Sequence, residues 1–385
     1  MKRAVIVDCV RTPIGRANKD KGIFREVRSD DLAVLVVQAL LERTGISPAE
    51  IEDVVMGNTQ QQGEQGLNAA RVVGLMAGLA THTGGTTVNR LCGSSLQAIN
   101  QASHAIMAGF EDVQIVGGLE HMQHIPMDAG IDLNPKLFQR TSKGALSMGV
   151  TAEFLAQTQG ISREEQDTFA LRSHQLAAAA QAKGEFKREM LPVWGRDEAG
   201  NRILVDRDQC VRPDATMESL AALKPAFMPG LGTVTAGNSS PLNDGAAALL
   251  VMSEEKAQSL GLKPLVRVVA TAVVGVDPAV MGTGPVPATK KALKRAGLTL
   301  ADIDLVELNE AFASQALACM RMLKMDPEKV NVRGGSIAIG HPLGASGARI
   351  STTLINTMID RGAHYGLATM CIGVGQGIAT IFERI

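Results

Sequence analysis

The chain has 385 residues, a formal net charge of −1, 45% hydrophobic and 20% charged side chains. That balance is ordinary for a globular protein with material for two or three domain-sized units, and it lacks the basic excess or stripe of a nucleic-acid binder. Glycine is frequent, at 40 residues, and aromatics make up only 3%, which favours tight turns and close backbone packing over aromatic stacking platforms.

In chain order, MKRAVIVDCVRTPIGR has a basic start, but its apolar run is short and broken by Asp8 and Arg11. It reads as a buried first strand rather than a secretory signal. Asp30 and Asp31 open an apolar run through Leu41, and Gly45 is placed to stop that helix. Ser47-Pro48-Ala49-Glu50 and Ser162-Arg163-Glu164-Glu165 both read as capping boxes. The second predicts a long alanine-rich helix ending near Gly184. Val113–Val116 and Gly366–Met370 are short apolar runs bounded by glycines, the pattern of fully buried strands. No apolar run reaches 18 residues, so no membrane-spanning helix is expected. Cysteines 9, 92, 210, 319 and 371 are scattered without a CxxC pair. That argues against a zinc cage and fits reduced thiols in a cytoplasmic protein.

The two ends of the chain resemble one another. Residues 45–56 read GISPAEIEDVVM and residues 297–308 read GLTLADIDLVEL, 252 residues apart (297 − 45). At the same offset Gly93–Ile99 falls opposite Ala345–Ser351, and with a slip of one Gln114–Gly118 falls opposite Leu367–Cys371. Three stretches in one order predict a duplicated α/β half. One copy covers roughly the first 120 residues and the other roughly residues 265–385. The stretch 122–242 has no counterpart, is rich in proline and holds the only tryptophan, Trp194. It reads as an inserted loop domain lying over the repeats. Pro241–Met252 reads as a returning strand that completes the first half.

Four places could carry chemistry. Cys92 lies in Val88-Asn89-Arg90-Leu91-Cys92-Gly93-Ser94-Ser95, beside the start of a helix with Leu96, Ile99 and Ile106 on one face. A helix N-terminus there would favour the thiolate; the alternative is an inert buried cysteine. His341, in Gly340-His341-Pro342-Leu343-Gly344, occupies the turn of the second copy that matches the Cys92 turn of the first. It reads either as a base for the cysteine or as a loop histidine bonded to backbone. Cys371 opens Cys371-Ile372-Gly373-Val374-Gly375-Gln376-Gly377. With no following helix this run is a poor dinucleotide site, but its glycines allow N–H groups to approach an oxyanion. Asn309, in Asn309-Glu310-Ala311-Phe312, begins a predicted helix to about Leu323, as its cap or as a holder of water.

Taken together these segments resemble the thiolases over the whole chain, along with Arg11-Thr12-Pro13, Gly237-Asn238-Ser239-Ser240 and Asn243-Asp244-Gly245. The resemblance implies an α/β thiolase fold, two duplicated halves packed as five layers (αβαβα) with an inserted loop domain. Its segments would be 1–121 with 243–264, 122–242, and 265–385. It implies an acyltransferase that cleaves 3-ketoacyl-CoA with coenzyme A as co-substrate and no tightly bound cofactor or metal. Cys92 would be the nucleophile, His341 its base, and Cys371 the acid and base at the departing acetyl-CoA enolate. Asn309 would hold a water at the enolate oxygen, and the N–H groups of Cys92 and Gly373 would form a second oxyanion hole. Ser240 would touch the pantetheine arm of coenzyme A and Arg212 its adenine and phosphate end.

Ser95 and Ser147 stand where biosynthetic thiolases usually carry glycine and histidine, which places the resemblance with the degradative, fatty-acid β-oxidation branch. Glu120-His121-Met122 and the ending Ile378–Arg384 are similar to the bacterial thiolase subunit of the β-oxidation multienzyme complex. That similarity implies a homodimer and an α2β2 complex with a larger hydratase/3-hydroxyacyl-CoA dehydrogenase subunit. The rivals are a biosynthetic thiolase, a ketoacyl-carrier-protein synthase and a noncatalytic lipid carrier. Cys371 in the third position argues against the synthase, and the intact set Cys92, His341, Cys371 and Asn309 argues against the carrier.

Overall fold

The computed structural model describes residues 2–385. The strands are β1 (Ala4–Arg11), β2 (Gly15–Arg16), β3 (Asp53–Gly57), β4 (Thr86–Val88), β5 (Val113–His121), β6 (Val193–Arg196), β7 (Arg202–Val205), β8 (Asn243–Ser253), β9 (Val266–Gly275), β10 (Leu305–Leu308), β11 (Tyr365–Ile372) and β12 (Gln376–Arg384). The helices are α1 (Ser29–Thr44), α2 (Ala69–Met76), α3 (Ser94–Ala108), α4 (Lys143–Leu146), α5 (Met148–Thr158), α6 (Arg163–Lys183), α7 (Met217–Ala221), α8 (Glu254–Ser259), α9 (Pro285–Ala296), α10 (Ala313–Leu323) and α11 (Ser346–Arg361).

One sheet runs in the order β10-β11-β12-β9-β1-β8-β5-β3-β4, with β2 beside β8. It is two sheets of one topology joined where β1 meets β9, at Val5↔Arg267 and Ile6↔Val266. In the first, β3 and β5 are parallel with Val54 opposite Ile115; in the second, β10 and β11 are parallel with Val306 opposite Leu367. Both residues of that pair are shifted by the same 252 positions (306 − 54 and 367 − 115). The slip of one inferred from residue identities is therefore absent: β5 and β11 align without a gap, because inward and outward faces must be kept and a one-residue slip would exchange them. The returning strand β8 lies between β1 and β5, antiparallel to both.

Side chains alternate between two faces of these strands. Val55 and Val116 pack with Leu96 and Ile99 of α3 and Ile350 and Leu354 of α11, while Val54 and Ile115 pack with Val36, Val37 and Leu40 of α1 and Val73 of α2. On the far side Val306 and Leu367 pack with Ala292 of α9 and Ala316 of α10. The layers are thus helix, sheet, a central pair α3 and α11, sheet, helix. Each large apolar side chain so buried contributes about 1.5–3 kcal/mol.

The two central helices meet with almost no space between their backbones. A Cβ on Gly347 would lie 2.2 Å from the backbone N of Leu96, and one on Gly118 would lie 2.2 Å from the Gly344 carbonyl oxygen. The Ala348 N–H donates to Ser95 Oγ at 2.8 Å across the same crossing. These contacts bring the turn before α3 beside the turn before α11.

Some local expectations change. Ser47–Glu50 does not open an α-helix but makes a single 3-10 turn, in which the Ser47 side chain accepts from Ala49 N–H and its carbonyl from Glu50 N–H before the chain enters β3. The Ser162 box is complete, and α6 runs from Arg163 to Lys183 with Gly184 as its C-cap. The stretch 122–242 is less loop-like than its prolines suggest, since it carries α4 to α7 and the hairpin β6–β7. It packs on both halves: Ala177, Ala180, Phe186 and Met190 meet Ile14 of one and Ala338 and Ile339 of the other. It is also pinned by charge. Arg11, fully buried, donates to Glu189 Oε1 at 2.6 Å and to both oxygens of Asp208 at 2.7 and 3.0 Å.

Gly347→Ala should destabilise the protein by about 2–3 kcal/mol or more, because the added methyl meets backbone rather than a movable side chain. A lower midpoint in urea unfolding checks this, and an unchanged midpoint would show that the crossing has slack.

Candidate active site

Cys92 sits in a turn wound tightly by its own side chains. Ser94 Oγ accepts the Arg90 N–H at 2.9 Å and donates to the Leu91 carbonyl at 2.6 Å, and Asn89 Oδ1 accepts the Leu91 N–H at 2.8 Å. Leu91 is forced to φ 46°, left-handed space that a branched residue occupies at a cost of about 1–2 kcal/mol. The turn delivers Cys92 buried one residue before Gly93, the N-cap of α3. The sequence expectation was a thiolate favoured by the helix end. Burial outweighs that effect and pushes the thiol pKa up to about 11, against N–H groups of Gly373 and of Cys92 itself that donate toward the sulfur. The buried carboxyl group of Glu120 adds to the rise.

The Gly373 N–H comes from the second half, in the turn Gly373-Val374-Gly375 that joins β11 to β12 between the paired Ile372 and Gln376. Cys371, at the end of β11, is buried among Ala152, Val234, Met281, Ala311 and Phe312. Burial raises its pKa well above the usual thiol value, and the neighbouring sulfurs of Cys92 and Cys319 raise it further. Cys92, Gly373 and Cys371 are thus gathered in one dry place.

His341 enters from the other turn. Ser346 Oγ donates to the Pro342 carbonyl at 2.8 Å, so its 2.6 Å contact with His341 Nδ1 must be accepted from an Nδ1–H. That leaves Nε2 with its lone pair, 3.3 Å from Asn309 Nδ2, which donates to it. The His341 N–H donates to Asn243 Oδ1 at 2.8 Å. Burial, then the Arg349 guanidinium, hold the imidazole pKa down at about 3. At neutral pH burial thus holds Cys92 as a neutral thiol and His341 as a neutral imidazole. Asn309 does not cap α10, which begins at Ala313; it extends the end of β10, its N–H donating to the Thr369 carbonyl at 3.0 Å.

Glu120 ties the His341 turn to the segment that follows β3. This buried carboxylate accepts from Gly344 N–H at 2.8 Å, from Thr59 N–H at 2.9 Å and Oγ1 at 2.6 Å, and from Asn58, Gln65 and Gln60 at 3.1, 2.9 and 3.4 Å. Ser346, Asn243 and Glu120 were not singled out as working residues by sequence reasoning. Each lies in a stretch quoted above, but buried hydrogen bonding leaves no local signature.

Ser240 is half-buried and donates from both N–H and Oγ to the Ala311 carbonyl, at 3.0 and 3.2 Å, beside the Asn309 segment. Arg212 is exposed and is not joined to this cluster; its backbone N–H donates to His174 Nδ1 at 3.2 Å. A surface cavity of about 630 Å³ adjoins it, lined by Val211 and Pro213 with Lys187 and Arg207, and none of Cys92, His341, Cys371 or Asn309 lines it.

Two α/β halves of one topology, with a cysteine from each buried at their seam, define an acyl-transferring enzyme class. Residues 4–255 match the family model for the thiolase N-terminal domain and residues 262–384 that for the thiolase C-terminal domain. The chain belongs to the thiolase family and is an acyltransferase. It is 56% identical over 389 aligned positions to a 3-ketoacyl-CoA thiolase of Shewanella denitrificans, and 56% identical over 388 to one of Aliivibrio fischeri, with 100% of each chain covered in both cases. The crystal structure of the Bacillus anthracis acetyl-CoA acetyltransferase superposes with a TM-score of 0.90 at 40% identity, covering 100% of this chain and 99% of that one.

Alkylation of Cys92 by iodoacetamide should rise about tenfold per pH unit from pH 7 to 9, because the thiolate fraction of a thiol with pKa about 11 grows by that factor. Peptide mass spectrometry reads the rate; a plateau below pH 8 would reveal a pre-formed ion pair instead.

Proposed function

We propose that this enzyme is a 3-ketoacyl-CoA thiolase of fatty-acid β-oxidation, working through an acyl thioester on Cys92. The observation that carries the reading is the seam itself. The Cys92 sulfur receives the Gly373 N–H from the other half, close enough to Cys371 for its charge to raise the Cys371 pKa, while the lone pair of His341 lies on Nε2, where it meets only the amide of Asn309.

The steps follow from these groups. Cys92 gives its proton to His341 Nε2 as its sulfur attacks the 3-keto carbon, and the N–H groups of Cys92 and Gly373 are placed to stabilise negative charge on an acyl oxygen. The bond between C2 and C3 breaks, and the acetyl-CoA enolate takes the proton of Cys371. A water held by Asn309, with His341, stabilises the enolate oxygen. The Cys371 thiolate then deprotonates coenzyme A, whose sulfur takes the acyl group from Cys92, and His341 returns its proton to the released Cys92 sulfur. A dry site suits the resting state of this route, because two thiols and an imidazole, all neutral, carry no buried charge.

In the same reading, residues 122–242 carry the coenzyme A site, with Ser240 at the pantetheine arm and Arg212 at the adenine and phosphate end; a guanidinium both stacks and pairs with phosphate. The enzyme is a homodimer, supported by β4 at the sheet edge and by the exposed Leu67. It joins a larger hydratase/3-hydroxyacyl-CoA dehydrogenase subunit in the cytoplasm. Among the described residues no helix is long and apolar enough to cross a membrane.

Cys92→Ser should fold normally and give no acyl adduct by mass spectrometry after brief exposure to a 3-ketoacyl-CoA; near-normal turnover would refute the mechanism. Cys371→Ala should still acquire an acyl group from a simple acyl-CoA but lose thiolysis. Thiolysis rates on 3-ketoacyl-CoA of C8 to C16 should match or exceed those on C4, whereas a strong preference for C4 would favour a biosynthetic enzyme.

A further inference from the structure

The amide of Asn309 has two ways to face His341, and only one matches a tautomer whose lone pair is on Nε2. A chain of buried groups outside the proposed catalytic set makes the choice. Asn309 Oδ1 lies 2.6 Å from Ser336 Oγ, and Ser336 Oγ lies 2.5 Å from Arg349 Nη2. Arg349, Ser336 and Asn309 are all buried to within 1%. A guanidinium has donors only, so Ser336 Oγ accepts from Arg349, and the single hydroxyl proton must go to Asn309 Oδ1. Oδ1 therefore faces Ser336, and Nδ2 faces His341 Nε2 at 3.3 Å. An amide donor facing Nε2 in turn requires a lone pair there and a proton on Nδ1, which Ser346 independently accepts at 2.6 Å.

The chain closes on itself. Ser346 and Arg349 stand one turn apart at the start of α11, so one helical turn both ends the series at His341 and begins it at Ser336. Charge pairing alone does not account for Arg349. Its approach to Glu307, 3.8 Å between Nη1 and Oε2, is too long for a hydrogen bond, and Nε and Nη1 have no hydrogen-bond partner. The other charges that face it, Glu189, Asp208 and Arg11, belong to the ion cluster at the end of β1.

We propose that Ser336 and Arg349 are positioning residues for the reaction, acting through Asn309: Arg349 polarises and orients the Ser336 hydroxyl, Ser336 fixes the amide of Asn309, and Asn309 holds His341 in the tautomer whose lone pair is on Nε2. This rests on the assignment of Asn309 and His341 to catalysis made above.

The test is a double-mutant cycle in thiolysis with a medium-chain 3-ketoacyl-CoA, on full-length Ser336→Ala, Asn309→Ala and the double variant. Ser336→Ala removes one hydroxyl and should lower kcat about five- to tenfold, the worth of one well-placed hydrogen bond, with KM within about twofold of wild type. In the Asn309→Ala background it should cost nothing further, because its target is gone. An unchanged kcat in Ser336→Ala, a loss confined to KM, or a full additional loss in the double variant each overturns the proposal. Should Asn309→Ala itself turn over at the wild-type rate, the catalytic assignment of Asn309 fails instead, which separates the two conclusions. Arg349→Lys, which keeps the charge but not the planar fork, is the second arm: it should show the same loss of kcat and the same absence of effect without Asn309. Additivity there would reduce Arg349 to a packing role.

Discussion

The close crossing of α3 and α11 is the constraint on which the site depends. With Gly347 against the backbone of Leu96, and Ser95 Oγ bonded to the Ala348 N–H, two helix starts from separate copies of one motif lie side by side. Each is preceded by a turn, and those turns hold Cys92 and His341. The sheets on either side cannot move apart without opening the apolar layer between them, nor close further against backbone. The separation of the Cys92 and His341 turns is thus set by main chain, which is stiffer than any side chain placed there.

Dryness then decides the electrostatics. A helix start favours an anion by a fraction of a kcal/mol to about 1 kcal/mol where it is exposed, whereas burying a charge costs several. For Cys92 the second effect wins, and its pKa moves to about 11 while that of His341 falls to about 3. On the proposed mechanism, Cys92 keeps its proton until a substrate carbonyl, with the Cys92 and Gly373 N–H groups to receive its oxyanion, draws the sulfur to attack. Preorganised donors cost nothing to reorient at that moment.

The middle segment is joined to this frame by a different kind of force. Arg11 at the end of β1 is clamped by Glu189 and Asp208, with no solvent reaching any of the three side chains. Removing one partner of such a buried group typically costs about 3–5 kcal/mol. The same Glu189 accepts from Thr353 of α11 at 2.9 Å. The clamp therefore registers the segment that holds Ser240 and Arg212 against the helix that carries Ser346 and Arg349.

The sequence by itself determined the repeat and the bounds of helices such as α1 and α6, since hydrophobic period, glycine stops and capping residues are local properties. The match of GISPAEIEDVVM with GLTLADIDLVEL placed β3 opposite β10 to the residue. Where its evidence was a short stretch it misjudged: Ser47–Glu50 as a helix start and a one-residue slip between β5 and β11; of its two readings of Asn309, the helix cap is the one that the structure excludes. What only the tertiary structure decided is everything that depends on burial and on partners distant in the chain. The direction of the Cys92 pKa shift, the tautomer of His341, the carboxylate of Glu120 under Gly344, and the line from Arg349 through Ser336 to Asn309 all arise from desolvation and from which donor meets which acceptor. Neither can be read from neighbours in sequence, because the groups that settle them are brought together by packing two halves of the chain against one another.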